Sequence, residues 1–544
     1  MAKKSETVII FMSIFSVVLL GFHAAAANDL QDGGELSPGR TMARQAVKEH
    51  IKWSTTDHAK HEILREKFQN GSEITKACLT CHSEVASQFH KTVHWTWLAE
   101  GGDSVGQYGK AGDSINNYCI STNKMNDKSC QSCHPGWNDK QDGINCLVCH
   151  GQKELKWSEV FEDLKYFLDE GDPESQEMAE ELQHDIMTAV VSIARPTRKN
   201  CGSCHFYGGG GDGVKHGDLD SSLTNPDKSL DVHMGVDGED FTCTRCHTTK
   251  LHNIAGRVYT APASMDRKSL IENDLASRIT CESCHTSLPH QSGSKVNDHT
   301  DKVACQSCHI SEFARVNPTK MKWDWSKAGK TKDGKPYKTT DEFGKHDYLS
   351  IKGEMKWEKN VKPEYFWYNG KIKSLTTKHV IDPSRPVYVS HPEGDPEDAN
   401  SRIYPFKVHK GVQPYDKKYK TLLAPLLSGE DGFWTTLDFN DAITKGMKYS
   451  GLPYSGRFDF VETDYVLPTT HMVSPKGQAV RCNECHTRNG SRLKNLKSFY
   501  MPGRDRFRFL DLSGWAVVLI SALGVLIHGA GRFVSRNRRK DYDK

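Results

Sequence analysis

Two apolar runs mark the ends of the chain. Val8 to Leu20 follows Lys3 and Lys4 and gives way to His23-Ala-Ala-Ala-Ala27. That run is shorter than the about 20 residues needed to cross a bilayer, and its basic start and small-residue end predict an export signal over residues 1–26. The second run, Leu512 to Gly531, contains His528 as its only ionisable residue and has the length of a spanning helix. It predicts an anchor over residues 509–531. Arg532, Arg536, Arg538, Arg539 and Lys540 follow it and mark residues 532–544 as a basic cytoplasmic tail. Arg504, Arg506 and Arg508 flank the other side, so the export signal decides the orientation: a periplasmic body with one C-terminal anchor. Between the runs, Val160, Phe161, Leu164 and Leu168, then Leu182, Ile186, Met187 and Val190, recur at helical spacing. They predict two amphipathic helices broken near Gly171-Asp-Pro173.

Composition adds a constraint. Only 36% of the 544 residues are apolar, lean for a core built from side chains alone. The formal net charge of +3 and the lack of a basic, aromatic-interleaved stripe exclude a nucleic-acid partner.

Cysteine changes the picture. Sixteen of the 17 cysteines fall into eight Cys-x-x-Cys-His motifs, where composition predicts about 0.03. They are Cys78/Cys81/His82, Cys130/Cys133/His134, Cys146/Cys149/His150, Cys201/Cys204/His205, Cys243/Cys246/His247, Cys281/Cys284/His285, Cys305/Cys308/His309 and Cys482/Cys485/His486. Two thiols at this spacing bond the two vinyl groups of one porphyrin, and the next residue brings its imidazole to the iron. Eight covalent c-type haems follow, with the eight motif histidines as proximal iron ligands. Large apolar macrocycles then fill the space that side chains leave, with the chain wrapped around them. The fold expected is mainly α with much irregular structure and little sheet, a multihaem cytochrome c organised around its haems. Residues 27–310 would carry motifs 1–7, and the cysteine-poor residues 311–508 would close a pocket and carry motif 8.

Six-coordinate haems need distal ligands. His90 and His94 share a helical face. His216, His233, His252, His290 and His299 lie near motifs, and His409 and His471 come from the cysteine-poor stretch. These nine are the favoured distal ligands. His50, His58, His61, His184, His346, His379 and His391 rank lower. Cys119, in Asn116-Asn-Tyr-Cys-Ile-Ser121, belongs to no motif; a small buried residue is the plain reading, and a redox thiol beside a haem the chemical one. The glycines at 208–211 suggest close backbone approach to a haem.

Beyond the motifs, Asn116-Asn-Tyr-Cys-Ile120, Asn200-Cys-Gly-Ser-Cys-His-Phe-Tyr-Gly-Gly-Gly-Gly211, Lys215-His-Gly-Asp-Leu-Asp-Ser-Ser222, Pro318-Thr-Lys-Met-Lys-Trp-Asp-Trp-Ser326, Pro405-Phe-Lys-Val-His409 and His471-Met-Val-Ser-Pro475 resemble the octahaem tetrathionate reductase family of c-type cytochromes. The resemblance covers residues 75–490. It implies seven haems with two histidine ligands and one, on Cys130, Cys133 and His134, whose far side carries a lysine following the third motif. In Gly151-Gln-Lys-Glu-Leu-Lys-Trp157, a shorter loop than the family's, Lys156 is the first choice and Lys153 the second. The activity implied is reduction of tetrathionate or a similar small anion at that haem, with Cys119 handling sulfur. Electrons would come from the quinone pool through a membrane cytochrome b or quinol dehydrogenase, with His528 a candidate contact point. Conversion of nitrite or hydroxylamine by the same architecture, and a non-catalytic electron wire, are the alternatives.

Overall fold

The computed structural model describes residues 37–48, 56–98, 105–121, 132–137, 143–157, 159–256, 280–497 and 499–542. The expected export signal, His50 and Cys130 lie outside them. The chain divides into two compact units. The smaller spans residues 1–53 and 280–300. In it, helix Pro38–Lys48 lies on the sixth motif: Gly39 N–H donates to Pro289 O at 3.1 Å, and the His285 ring lies 3.2 Å from Gly39 O.

The larger unit, residues 54–279 and 301–544, begins with short helices. The expected helical pair is present as Val160–Glu170 and Pro173–Val191. Gly171 ends the first helix at φ 66°. Asp172 then accepts N–H bonds from Glu174 and Ser175, with Pro173 at the first helical position. Val160, Leu164, Ile186 and Val190 bury against Leu64, Phe68, Ile74 and Leu147 beside the first and third motifs. Leu168, 49% exposed, falls off that face.

The expectation of little sheet is corrected by residues 319–468, which form one nine-stranded sheet. In chain order its strands are β1 Thr319–Asp324, β2 Lys338–Thr340, β3 His346–Leu349, β4 Gly353–Glu358, β5 Glu364–Tyr368, β6 Ile372–Ser374, β7 Val387–Pro392, β8 Arg402–Asp416 and β9 Phe458–Pro468. The order across the sheet is β6-β7-β9-β8-β1-β4-β3-β2, with β5 pairing the first part of β8. The fifteen-residue β8 is the spine. It runs antiparallel to β9 from Phe406↔Pro468 to Asp416↔Phe458 and parallel to β1 at Lys410↔Lys322. Its alternation was hidden because Lys407, His409 and Gln413 are polar yet fully buried, so the face that should read apolar does not.

Side chains two apart on β8 share that face with Tyr465 and Thr463 of β9. The segment Asn116–Ile120 docks there. Asn117, 1% exposed, donates from Nδ2 to His409 O and Thr463 O, both at 3.0 Å, and accepts from Gln413 Nε2 at 2.8 Å. Gly411 makes room, since a Cβ there would sit 2.7 Å from Thr463 Oγ1 and 2.9 Å from the Asn117 side chain. Removing a buried partner strands the groups it served. Asn117→Ala is therefore expected to cost about 2 kcal/mol in chemical denaturation of the haem-loaded protein, and Gly411→Ala to shift the midpoint the same way.

After Arg508 the chain forms one 35-residue helix to Tyr542. Its Arg508–Arg536 portion is long and apolar enough to cross a membrane and is not covered by the rest of the chain.

Candidate functional site

Most of the motifs coil as short helical turns, which places the histidine beside its two cysteines. Helices or turns hold Leu147–His150, Arg198–His205, Cys243–Cys246, Glu282–His285, Cys305–His309 and Cys482–Cys485. Two are braced at their start by the asparagine that precedes the first cysteine. Asn145 Oδ1 accepts from Leu147 and Val148 N–H, and Asn200 completes a capping box with Thr197. Asn200 Nδ2 also donates to Val148 O and Gly151 O, which ties the fourth motif to the third. Gly202, inside the fourth motif, meets the Phe206 ring, leaving no space for a side chain.

The motif thiols differ in their surroundings. Cys78 of the first motif touches Cys146 of the third, and burial pushes the Cys149 thiol up. Cys81 is exposed, with its N–H bonded to Cys78 O at 3.3 Å and its Sγ accepting from Thr80 Oγ1 at 3.8 Å. Cys284, in the smaller unit, is half-buried; its N–H bonds Cys281 O at 3.1 Å and its Sγ accepts from Ser283 Oγ at 3.9 Å. Both lie within reach of the hydroxyl of the residue just before them, as Cys204 does of Ser203.

The motif histidines are oriented by backbone carbonyls. Nδ1 of His150 lies 3.0 Å from Ala194 O, that of His247 2.7 Å from Ala255 O, and that of His486 2.8 Å from Pro502 O. A carbonyl at Nδ1 makes that nitrogen the proton carrier and turns Nε2 into the ligand.

Among the described residues, three pairs of a motif histidine and a histidine from outside the motifs face each other at one spacing. Ring centroids of His58 and His82 are 6.3 Å apart, His94 and His205 6.2 Å, and His247 and His471 6.3 Å. Two imidazoles across one iron, with bonds of about 2.0 Å and about 1.1 Å more to each ring centre, lie about 6.2 Å apart. The pairs fit a bis-histidine haem iron. Each joins a motif histidine to one from outside the motifs. His61 also lies 6.3 Å from His58, but its Nε2 is engaged by Thr56 Oγ1 at 2.9 Å. Burial holds His205 down at about 4, the neutral form that binds iron. His471 has a further partner: its Nδ1 lies 3.3 Å from Asp218 Oδ2, which also accepts the Thr470 and His471 N–H groups. Burial pushes Asp218 up, but its bond to His471 and the His471 charge outweigh this and hold it at about 2.

The other favoured histidines sit elsewhere. His90 packs on Trp95, His233 stacks on Phe241, and His252 lies 3.2 Å from Gln88 Oε1. His290 bonds Asn297, and His299 closes the turn Lys295–His299, both in the smaller unit. His216 is deep, held at about 3 by burial and by Lys215. His409 is fully buried on β8 against Tyr118, centroids 4.3 Å apart, with neither ring nitrogen bonded.

Around the second motif the His134 ring lies between Trp95 and Trp97, at 4.8 and 5.1 Å, with Nε2 3.1 Å from Trp95 O. Lys156 is exposed and bonds Glu159 at 3.3 Å; Lys153 pairs with Asp185. A different lysine reaches this motif. Lys215 is desolvated beside Lys110 and Cys133, which puts its pKa at about 8, burial being the main cause. Nothing in the spacing of Lys215 from the second motif marks this approach, although it stands in Lys215-His-Gly-Asp218, one of the segments that carry the resemblance. His58 and Asp218 were likewise undervalued, because neither adjoins its motif in sequence.

Cys119 packs at the edge of the cluster formed by Tyr118, Trp323, Trp325 and Tyr465, and its N–H bonds Asn116 Oδ1 at 3.0 Å. Lys352 lies near it, with its pKa lowered by burial against an opposing pull from Cys119. Lys320, its amine over the Trp323 ring at 3.5 Å, is pushed well down by burial. Lys407 donates to Val214 O, Lys215 O and Thr319 Oγ1, which pins the Lys215 backbone to the sheet. Lys215, Lys320 and Lys352 make no ion pair with a described carboxylate.

Comparison with known proteins bears on this arrangement. Residues 320–489 match the family model "Cytochrome c bacterial". An uncharacterized protein of Archaeoglobus fulgidus is 24% identical over 293 residues, 44% of this chain and 90% of that protein. The crystal structure of octaheme cytochrome c from Shewanella oneidensis is 40% identical, covers 80% of this chain and 95% of its own, and gives a TM-score of 0.67. These likenesses and the motifs define a multihaem c-type cytochrome that binds its haems covalently. Within that class, the chain belongs to the octahaem cytochrome c family.

If His58 completes the site of His82, His58→Ala is expected to add a high-spin ferric signal to the electron paramagnetic resonance spectrum while covalent haem content stays unchanged. His61→Ala is expected to leave that spectrum as it was.

Proposed function

We propose that this protein is a membrane-anchored periplasmic reductase, bearing eight haems, that delivers electrons to a small anion at the second motif. The carrying observation is Lys215, desolvated beside Lys110 and Cys133 of the second motif, with a second set of desolvated amines, Lys352 near Cys119 and Lys320 near Lys352. An anion is the ligand that such a set accepts at least cost.

The haem at this motif, when bound, would supply electrons one at a time to the anion held beside it. The chain's residues supply the rest. In this reading Lys215, rather than Lys153 or Lys156, is the lysine that would hold the haem of Cys133 and His134 together with His134. Its depressed pKa makes the neutral amine accessible for iron binding. In its protonated form the same amine would join Lys110 in holding the anion.

Tetrathionate fits this chemistry. The Cys119 thiolate attacks the central S–S bond, forms a cysteine S-thiosulfate and releases one thiosulfate. Two electrons then cleave that new S–S bond, release the second thiosulfate and restore the thiolate. Lys352 stabilises the thiolate by its charge. Asn117 and Gly411 fix the loop, so the thiol's position is set by the sheet.

Stopped-flow oxidation of the prereduced protein by tetrathionate, nitrite and hydroxylamine tests the substrate. Fast oxidation by tetrathionate, slowed at least tenfold in Cys119→Ala while nitrite is handled as before, is the expected outcome. Equal losses with both substrates would remove the covalent role of Cys119, and fast reaction with nitrite or hydroxylamine alone would replace tetrathionate. Lys215→Met is expected to change the ligand-field spectrum of one haem and to weaken anion binding at least tenfold. The same change at Lys156 should leave both untouched.

A further inference from the structure

The segment joining the eighth motif to the C-terminal helix is unusually well tied down. His486 bonds Pro502 O through Nδ1, and Gly503, at φ 81°, packs against the His486 backbone, 2.8 Å from its carbonyl oxygen at the position a Cβ would take. Arg504 donates to Leu493 O at 2.8 Å, to Phe499 O at 3.0 Å and to Asp505 Oδ2 at 2.6 Å. The helix begins at Arg508, and the Arg488 guanidinium, two residues past His486, lies 3.9 Å from Asp511 in its first turn. Six residues from Pro502 to Arg508 reach at most about 20 Å even when extended. The first turns expose Phe509, Leu510, Leu512 and Trp515, and Arg504, Arg506 and Arg508 lie just before them. Aromatic and basic residues at a helix end are what a bilayer surface accepts. The eighth motif is thus fastened at the membrane end of the anchor.

From there a continuous series of contacts leads inward. Cys308 of the seventh motif lies near Cys482 and Cys485, and Val480 N–H bonds Cys308 O at 2.9 Å. Ser474 N–H bonds His309 O at 2.8 Å, three residues past His471, which faces His247 of the fifth motif. Cys243 of that motif touches Cys201 of the fourth, and Cys204 of the fourth touches Cys133 of the second.

We propose that the haem site of Cys482, Cys485 and His486 is the port at which a lipid-soluble quinol in the bilayer surrenders its electrons, which pass through motifs seven, five and four to the second. Each quinol becomes a quinone, releases two protons to the aqueous side and yields two electrons, which reduce two ferric irons to ferrous. The end of this route rests on the reductase reading above; its entrance rests only on the packing of the eighth motif and the anchor.

The test uses the full-length, haem-loaded protein in phospholipid vesicles containing duroquinol, with haem reduction followed by absorbance and no terminal acceptor present. A variant carries three EAAAK repeats between Phe507 and Arg508, a semi-rigid spacer that lifts the port about 20 Å from the membrane. Reduction by duroquinol is expected to be fast in the parent and at least tenfold slower in the variant, while water-soluble dithionite reduces both equally, which also shows that the variant is intact. Equal duroquinol rates in parent and variant, or no reduction of the parent, would overturn the port. Because no tetrathionate is present, failure of the substrate reading leaves this outcome unchanged.

Discussion

A metal held between two imidazoles tolerates little error in distance. An iron–nitrogen bond defines the separation of the two rings to a few tenths of an ångström, so each haem requires that two parts of the chain be delivered to matching positions. The pairs His58–His82, His94–His205 and His247–His471 meet that demand at 6.2 to 6.3 Å. Backbone carbonyls turn His150, His247 and His486 by their Nδ1 atoms, and Asp218 turns His471 by the same device with a full charge. A carboxylate at that nitrogen gives the imidazole more electron density than a carbonyl does, which favours ferric iron. The fold can thus set different potentials along one series of similar sites.

The sheet serves a different purpose. It has nine strands and no haem motif, and it carries buried polar groups on the face that meets the Asn116–Ile120 loop. Lys407, with three acceptors, joins β8 to the chain at Val214 and Lys215, while Asn117 joins the Cys119 loop to β8 and β9. Lys215 and Cys119 are therefore both referenced to one rigid strand. A site built this way keeps its geometry although its loops have little secondary structure of their own.

Some of this was legible in the sequence and some was not. The motifs announced covalent haem because two thiols and an imidazole at that spacing have little other use. The contacts between motifs were not legible: Cys78 of the first touches Cys146 of the third, and Cys204 of the fourth touches Cys133 of the second. The helical pair at 160–191 was legible from apolar periodicity and from Gly171-Asp-Pro173, whose residues end one helix and start the next. The sheet was not, since Lys407, His409 and Gln413 break the alternation of β8 at positions that are nonetheless buried. His58 stands 24 residues from its partner His82, and Asp218 is 253 from the imidazole that it touches; nothing local in sequence marks either contact. Lys153 and Lys156 follow the third motif in sequence and pair with Asp185 and Glu159, while Lys215, ten residues past the fourth motif, comes near Cys133 of the second, a contact nothing local in sequence marks.

The most direct test is the position of the irons themselves. Anomalous diffraction at the iron edge from crystals of the haem-loaded protein should place an iron midway between each of the three histidine pairs. It should place another above His134 with the Lys215 amine as its second axial ligand. Irons displaced from the midpoints, or an iron at His134 facing any group other than Lys215, would contradict the account.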